Sequence, residues 1–290
     1  MDKSNVAAKR LKRNRTDVVL RLAVKLLAVL AGLYVILNLS VYVFQEKLLF
    51  FPIEISDAEC AQLLAAHSNV KDISLPMQDG TRLRGWLVES QAADASGLLI
   101  YFGGNGDELS LMIDFFQRYP DWSVVLINYR GYGQSEGEPR EEYLFSDALE
   151  IYDYFTAGSG DEYAKKVVMG RSMGTGVAVY VAQNRPVDGV ILASPYDSIL
   201  RVAQEKLPLV PVKYLLRNRF DSIGRAADIS APVLVCIADR DELILPRHSL
   251  ALAQEFAGPV QIREIAGADH NSILQKEDYW QSIDQFLKEL

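Results

Sequence analysis

The sequence predicts an α/β fold: an eight-stranded, mostly parallel sheet flanked by helices, behind one N-terminal transmembrane helix. Three observations predict it. From Val70 onward, apolar runs of strand length alternate with helix-length segments, the rhythm of βαβ units. The later runs, such as Val233–Ala238, are continuously apolar, as parallel strands covered on both faces are. At 290 residues the chain is long enough to bury one large core.

The elements follow in order. Residues 1–26 hold eight Lys or Arg against Asp2 and Asp17, a net +6 that leaves −14 on the remainder. Residues 1–25 therefore read as a basic cytosolic tail. Residues 26–44 are apolar apart from Asn38 and Ser40, and these 19 residues would span about 28 Å, close to a bilayer core. A cleaved signal peptide would need a shorter apolar core and an A-x-A-like site. An uncleaved single-pass anchor is the better reading. The basic flank then puts the N-terminus in the cytosol and everything after Gln45 on the far side, the periplasm if the cell is bacterial. Residues 45–69 form a linker and a helix. Leu48–Pro52 either grazes the headgroups or begins packing on the domain.

Residues 70–290 carry the α/β domain. Its strands are expected near Val70–Leu75, Arg82–Glu89, Gly97–Phe102, Ser123–Asn128, Lys166–Gly170, Gly189–Ala193, Val233–Ala238 and Val260–Ile265. Asp79-Gly80 should turn the first two into a hairpin. Helices are expected at Glu108–Arg118, Glu141–Thr156, Met173–Asn184, Arg247–Phe256 and Tyr279–Leu290. About 40 residues separate the strands near Ala193 and Val233, more than a plain crossover needs. Residues 196–228 there read as two helical pieces forming a small cap, with an ordinary kinked helix as the alternative. The acidic body disfavours nucleic acid as a partner, since phosphate binding runs on Lys and Arg. Cys60 and Cys236 have neither disulfide nor metal spacing, and no cofactor is expected.

The chemistry centres on Gly170-Arg171-Ser172-Met173-Gly174, a G-x-S-x-G between an expected strand and an expected helix. That context makes it a nucleophile elbow, with Ser172 held on a strained turn. A serine nucleophile needs a base, and a carboxylate to orient it. Of three histidines, His270 follows the last strand in a turn-rich loop and is the candidate base. His67 and His248 read as surface residues. The acid should follow Val233–Ile237; Asp241 is preferred for its reach, and Asp239 competes. Ser172, Asp241 and His270 come in the chain order of α/β-hydrolases. The oxyanion needs N–H donors: Met173 for one, and Asn105 or Gly104, in the glycine-rich loop Phe102–Asp107, for the other. A phosphate loop is the alternative there, but the chain lacks G-K-S/T and G-x-G-x-x-G.

With these residues in view, the chain resembles membrane-anchored serine hydrolases of the α/β-hydrolase superfamily. Asn128-Tyr129-Arg130-Gly131-Tyr132-Gly133-Gln134-Ser135-Glu136-Gly137-Glu138-Pro139 is similar to the turn after the fourth strand in the subgroup of single-pass α/β-hydrolase-domain proteins and protein depalmitoylases. Phe102–Gly106 resembles that subgroup's His-Gly-Asn-Ala-Gly oxyanion loop, with Gly103 in place of the histidine. Ser194-Pro195-Tyr196 is also similar. The resemblance implies hydrolysis of an ester or thioester of a small-molecule or lipid-like acyl substrate through an acyl-Ser172 intermediate. A peptidase on short peptides and a silent membrane-tethered binding module are the competing readings.

Overall fold

The computed structural model describes residues 3–92, 97–157 and 163–290, with side chains placed at Asn14 and from Asp17 onward. The basic side chains from Lys3 to Arg13 and Arg15 lie outside the described residues.

Helix α1 spans Lys3–Leu49, well past the expected bounds of 26–44 at both ends. Lys, Arg, Leu and Ala all favour helix, and no proline interrupts the chain before Pro52. Its Asp17–Leu49 portion is long and apolar enough to cross a membrane. Most of its large apolar side chains, from Val18 to Leu48, are exposed. The junction after it divides its roles. Phe50 is buried in the main core while Leu48 and Phe51 stay exposed. Helix α2 (Asp57–Ala66) then begins with a Ser56–Glu59 capping box.

The sheet follows as β1 (Val70–Pro76), β2 (Arg82–Val88) and β3 (Gly97–Phe102), then α3 (Ile113–Phe116) and β4 (Trp122–Ile127). Next come α4 (Glu141–Thr156), β5 (Lys165–Arg171), α5 (Met173–Asn184) and β6 (Gly189–Ala193). The cap contributes α6 (Ile199–Lys206), α7 (Val212–Leu215) and α8 (Ile223–Ala226), three short helices where the sequence indicated two. The chain closes with β7 (Val233–Ala238), α9 (Pro246–Ala253), β8 (Val260–Ile265) and α10 (Glu277–Glu289). The α/β expectation is borne out: the eight strands order as β1-β2-β4-β3-β5-β6-β7-β8. β1–β2 is the expected hairpin, β2–β4 is antiparallel, and every later pairing is parallel.

Burial explains the apolar runs. Every residue of β3, β4, β6 and β7 is buried, with one core cluster on each sheet face. Cys236 sits inside β7 and Cys60 on the buried face of α2, both as free thiols. The expected Glu108–Arg118 helix is broken into a 3-10 turn over Leu109–Met112 and the one-turn α3. The buried Asn128 side chain explains the break: its Oδ1 accepts from Leu109 N and its Nδ2 donates to Glu108, drawing the segment onto the sheet.

Candidate active site

The carboxyl ends of β3, β5, β7 and β8 converge on one pocket. β5 ends at Arg171 and α5 begins at Met173, which leaves Ser172 alone to make the turn at φ 49° and ψ −119°. A non-glycine residue at such angles is strained and must be held by its surroundings. Here Ser172 N donates to Ala193 O on β6, and Thr175 donates to Ser172 O from both its amide and its hydroxyl. The flanking glycines are required sterically. A Cβ at Gly170 would lie 2.2 Å from Gly174 O, and one at Gly174 would lie 2.0 Å from Phe102 O.

The structure brings Ser172, His270 and Asp241 together. His270 Nε2 lies 2.9 Å from Ser172 Oγ across 98 residues of sequence, and His270 Nδ1 lies 2.8 Å from Asp241 Oδ2. An ionised carboxylate can only accept, so Nδ1 carries the ring proton and Nε2 is left to accept from the serine hydroxyl. Asp241 is fixed in turn: its Oδ1 accepts from Leu243 N at 2.9 Å and Ile244 N at 2.8 Å. All three side chains are buried. Asp239, the competing acid, turns elsewhere and accepts from Ala268 N, tying the β7 and β8 loops together.

The glycine-rich loop separates its candidate donors. Gly104 N already donates to Asp107 Oδ2 at 2.6 Å, so its N–H is not open to a ligand. Asn105 and Met173 line the pocket beside Ser172. The tyrosines of the Asn128–Pro139 string hold this loop from behind. Tyr129 Oη donates to Gly103 O and Tyr132 Oη to Asn105 O.

Arg171 is a residue that sequence reasoning passed over. Its buried guanidinium grips both oxygens of Asp107 at 2.9 Å, and donates at 3.2 Å to His270 O and Asn271 Oδ1. It thus bolts the loop carrying Asn105 to the loop carrying His270. Burial opposes its charge, yet Asp107 and nearby tyrosines keep its pKa raised. The available signal was an arginine following the apolar stretch Val167-Val168-Met169 and Gly170, immediately before the serine. His248 is a correction. It was expected at the surface but is buried, with Nδ1 3.0 Å from Asp197 and Nε2 3.0 Å from Glu205. The reason is tertiary: the Asp197 loop and α6 close over the start of α9, which no local pattern records. His67 is partly buried and faces Asp114.

The pocket measures about 610 Å³, within the usual range for small-molecule sites, and its wall is mainly aliphatic. The cap supplies part of it, including Ile199, Val202 and Leu216. Among the described residues, no group of three or more His, Cys, Asp or Glu could hold a metal ion.

This fold, with an elbow serine at the sheet's carboxyl edge, defines the α/β-hydrolases, and the chain belongs to that superfamily: residues 98–225 match its family model, the alpha/beta hydrolase fold. It is a hydrolase by kinship. An uncharacterized membrane protein of Saccharomyces cerevisiae is 32% identical over 224 residues, covering 75% of this chain and 79% of that one. Alpha/beta hydrolase domain-containing protein 17B of Homo sapiens is 29% identical over 199 residues, 68% of each chain. Among solved structures, the Pyrococcus furiosus esterase Pf2001 superposes with a TM-score of 0.62 at 18% identity, over 82% of this chain and 98% of that one. At that identity the likeness shows the fold alone.

Proposed function

We propose that the protein is a membrane-anchored serine hydrolase that cleaves carboxylic ester or thioester bonds through an acyl-Ser172 intermediate. One observation carries the reading: the Ser172–His270–Asp241 hydrogen-bond chain opens into an apolar pocket of about 610 Å³.

His270 Nε2 takes the hydroxyl proton as Ser172 Oγ attacks the substrate carbonyl carbon. Asp241 holds the ring and stabilises the imidazolium that forms. The oxyanion is received by the Met173 and Asn105 amides, since Gly104 is engaged by Asp107. His270 then hands its proton to the departing alcohol or thiol. Water repeats the sequence on the acyl-enzyme, releasing the acid and restoring Ser172.

The α1 helix supports anchoring to a membrane, and its basic N-terminal flank supports a cytosolic N-terminus with the hydrolase domain outside the cytosol. A reporter fused after Leu290 should be active only outside the cytosol. For the chemistry, a fluorophosphonate probe should label the wild-type chain and leave Ser172→Ala unlabelled. A folded wild-type chain that stays unlabelled ends the acyl-serine reading.

A further inference from the structure

The pocket has a wall that a soluble domain would lack. Val41, Gln45, Leu48 and Leu49 of α1 line the same cavity as Ser172 and His270. They fall at i, i+4, i+7 and i+8, a single stripe along the helix. The stripe is held in place from two sides. Gln45 donates to Leu215 O and accepts from Arg217 N, while Arg217 also pairs with Glu46 at 2.7 Å and covers the Tyr42 ring. On the other side Asn105 Nδ2 donates to Leu49 O, and Phe51 N donates to Asn105 O. Asn105, which lines the pocket beside Ser172, is therefore hydrogen-bonded to the end of α1 and to the residue two past it.

The apolar character continues outward. Leu48 is exposed, as is Leu207 across the cavity, and α7, packed on α1, carries the exposed Tyr214. The cavity lining thus joins α1 and the cap to Ser172 and His270.

We propose that the last two and a half turns of α1 are a specificity-determining wall of the substrate pocket, against which the apolar chain of an acyl substrate lies while its carbonyl reaches Ser172. The proposal deepens the acyl-serine reading and rests on it for the chemistry. It makes the helix a part of the binding site as well as a tether.

The test uses the full chain in detergent micelles and a matched pair of substitutions. Val41→Trp places a large ring inside the cavity. Val43→Trp places the same ring about half a turn away, on the exposed face. Two readouts are compared: the ratio of kcat/KM for p-nitrophenyl dodecanoate over p-nitrophenyl butyrate, and the Kd for pyrene-labelled dodecanoic acid. Displacing about two methylenes from the wall should lower the ratio and weaken binding about tenfold in Val41→Trp. Val43→Trp should match wild type in both. Leu48→Trp, on the same stripe, should shift both readouts in the direction of Val41→Trp if that variant folds poorly. Equal ratios and equal Kd values across the inward and outward variants overturn the proposal. If the fluorophosphonate fails to label while the pair still splits in fatty-acid binding, the acyl-serine reading falls and the wall stands.

Discussion

His270 and His248 are both buried and both hydrogen-bonded at each ring nitrogen. What separates them is the second partner. His270 has one carboxylate behind it and a hydroxyl in front, at the lip of a pocket. His248 has a carboxylate on each side: Asp197, also paired with Arg201, and Glu205, also gripped by Arg247. The first arrangement can pass a proton to something that leaves. The second is a hydrogen-bonded chain, Arg201–Asp197–His248–Glu205–Arg247, that fastens the cap to the body. Burial and geometry of the imidazole alone do not distinguish a base from a clasp.

The comparison can be broken most decisively by exchanging the histidines' fates. His270→Ala should lower kcat roughly 10⁴- to 10⁶-fold with the fold intact. His248→Ala should leave kcat within about tenfold. Comparable losses at both positions would dissolve the distinction. The acids sharpen it further. Asp241→Asn should cost roughly 10⁴-fold in kcat by favouring the wrong tautomer, whereas Asp239→Ala should cost only about 1 kcal/mol of stability for its loop contact. A kcat collapse in Asp239→Ala would reassign the acid.

Stability effects come next. Arg171→Met leaves Asp107 without its cation and should destabilise the chain by about 3–5 kcal/mol, read from the denaturant midpoint at unchanged slope. His248→Ala should cost less, about 2 kcal/mol, because Glu205 is partly exposed and keeps Arg247. The smallest effect is in pH. Arg247 first, and His248 after it, hold the Glu205 carboxyl below its usual range. A folded-state pKa below the unfolded one gives stability that is complete above the ordinary glutamate range. It is lost as pH falls through the lowered folded value. Wild type should therefore lose slightly more midpoint than Glu205→Gln on going from about pH 7 to about pH 3.5.

How much of this was legible depended on whether the cause was local. The strands Gly97–Phe102, Gly189–Ala193 and Val233–Ala238 coincide with their apolar runs, because doubly covered strands advertise themselves in composition. The contact between Ser172 and His270 was foreshadowed by a turn motif and by the scarcity of histidine. The 3-10 break at Leu109 was not, since it depends on the Asn128 side chain reaching back 19 residues. Nor was the burial of His248, which depends on contacts 51 and 43 residues away. That Val41, Gln45, Leu48 and Leu49 line the cavity was not legible for a different reason: α1 is long and apolar enough to cross a membrane, and composition does not mark one face of such a helix.

The cysteines have a practical sequel. The Cys236 thiol, enclosed in β7, is pushed up to about 12 by burial, and burial likewise raises that of Cys60. Thiolate, the form that reacts with maleimides and oxidants, is therefore scarce at both. A spin label or dye offered to one cysteine introduced on α1 or α7 should react there in preference to the native pair.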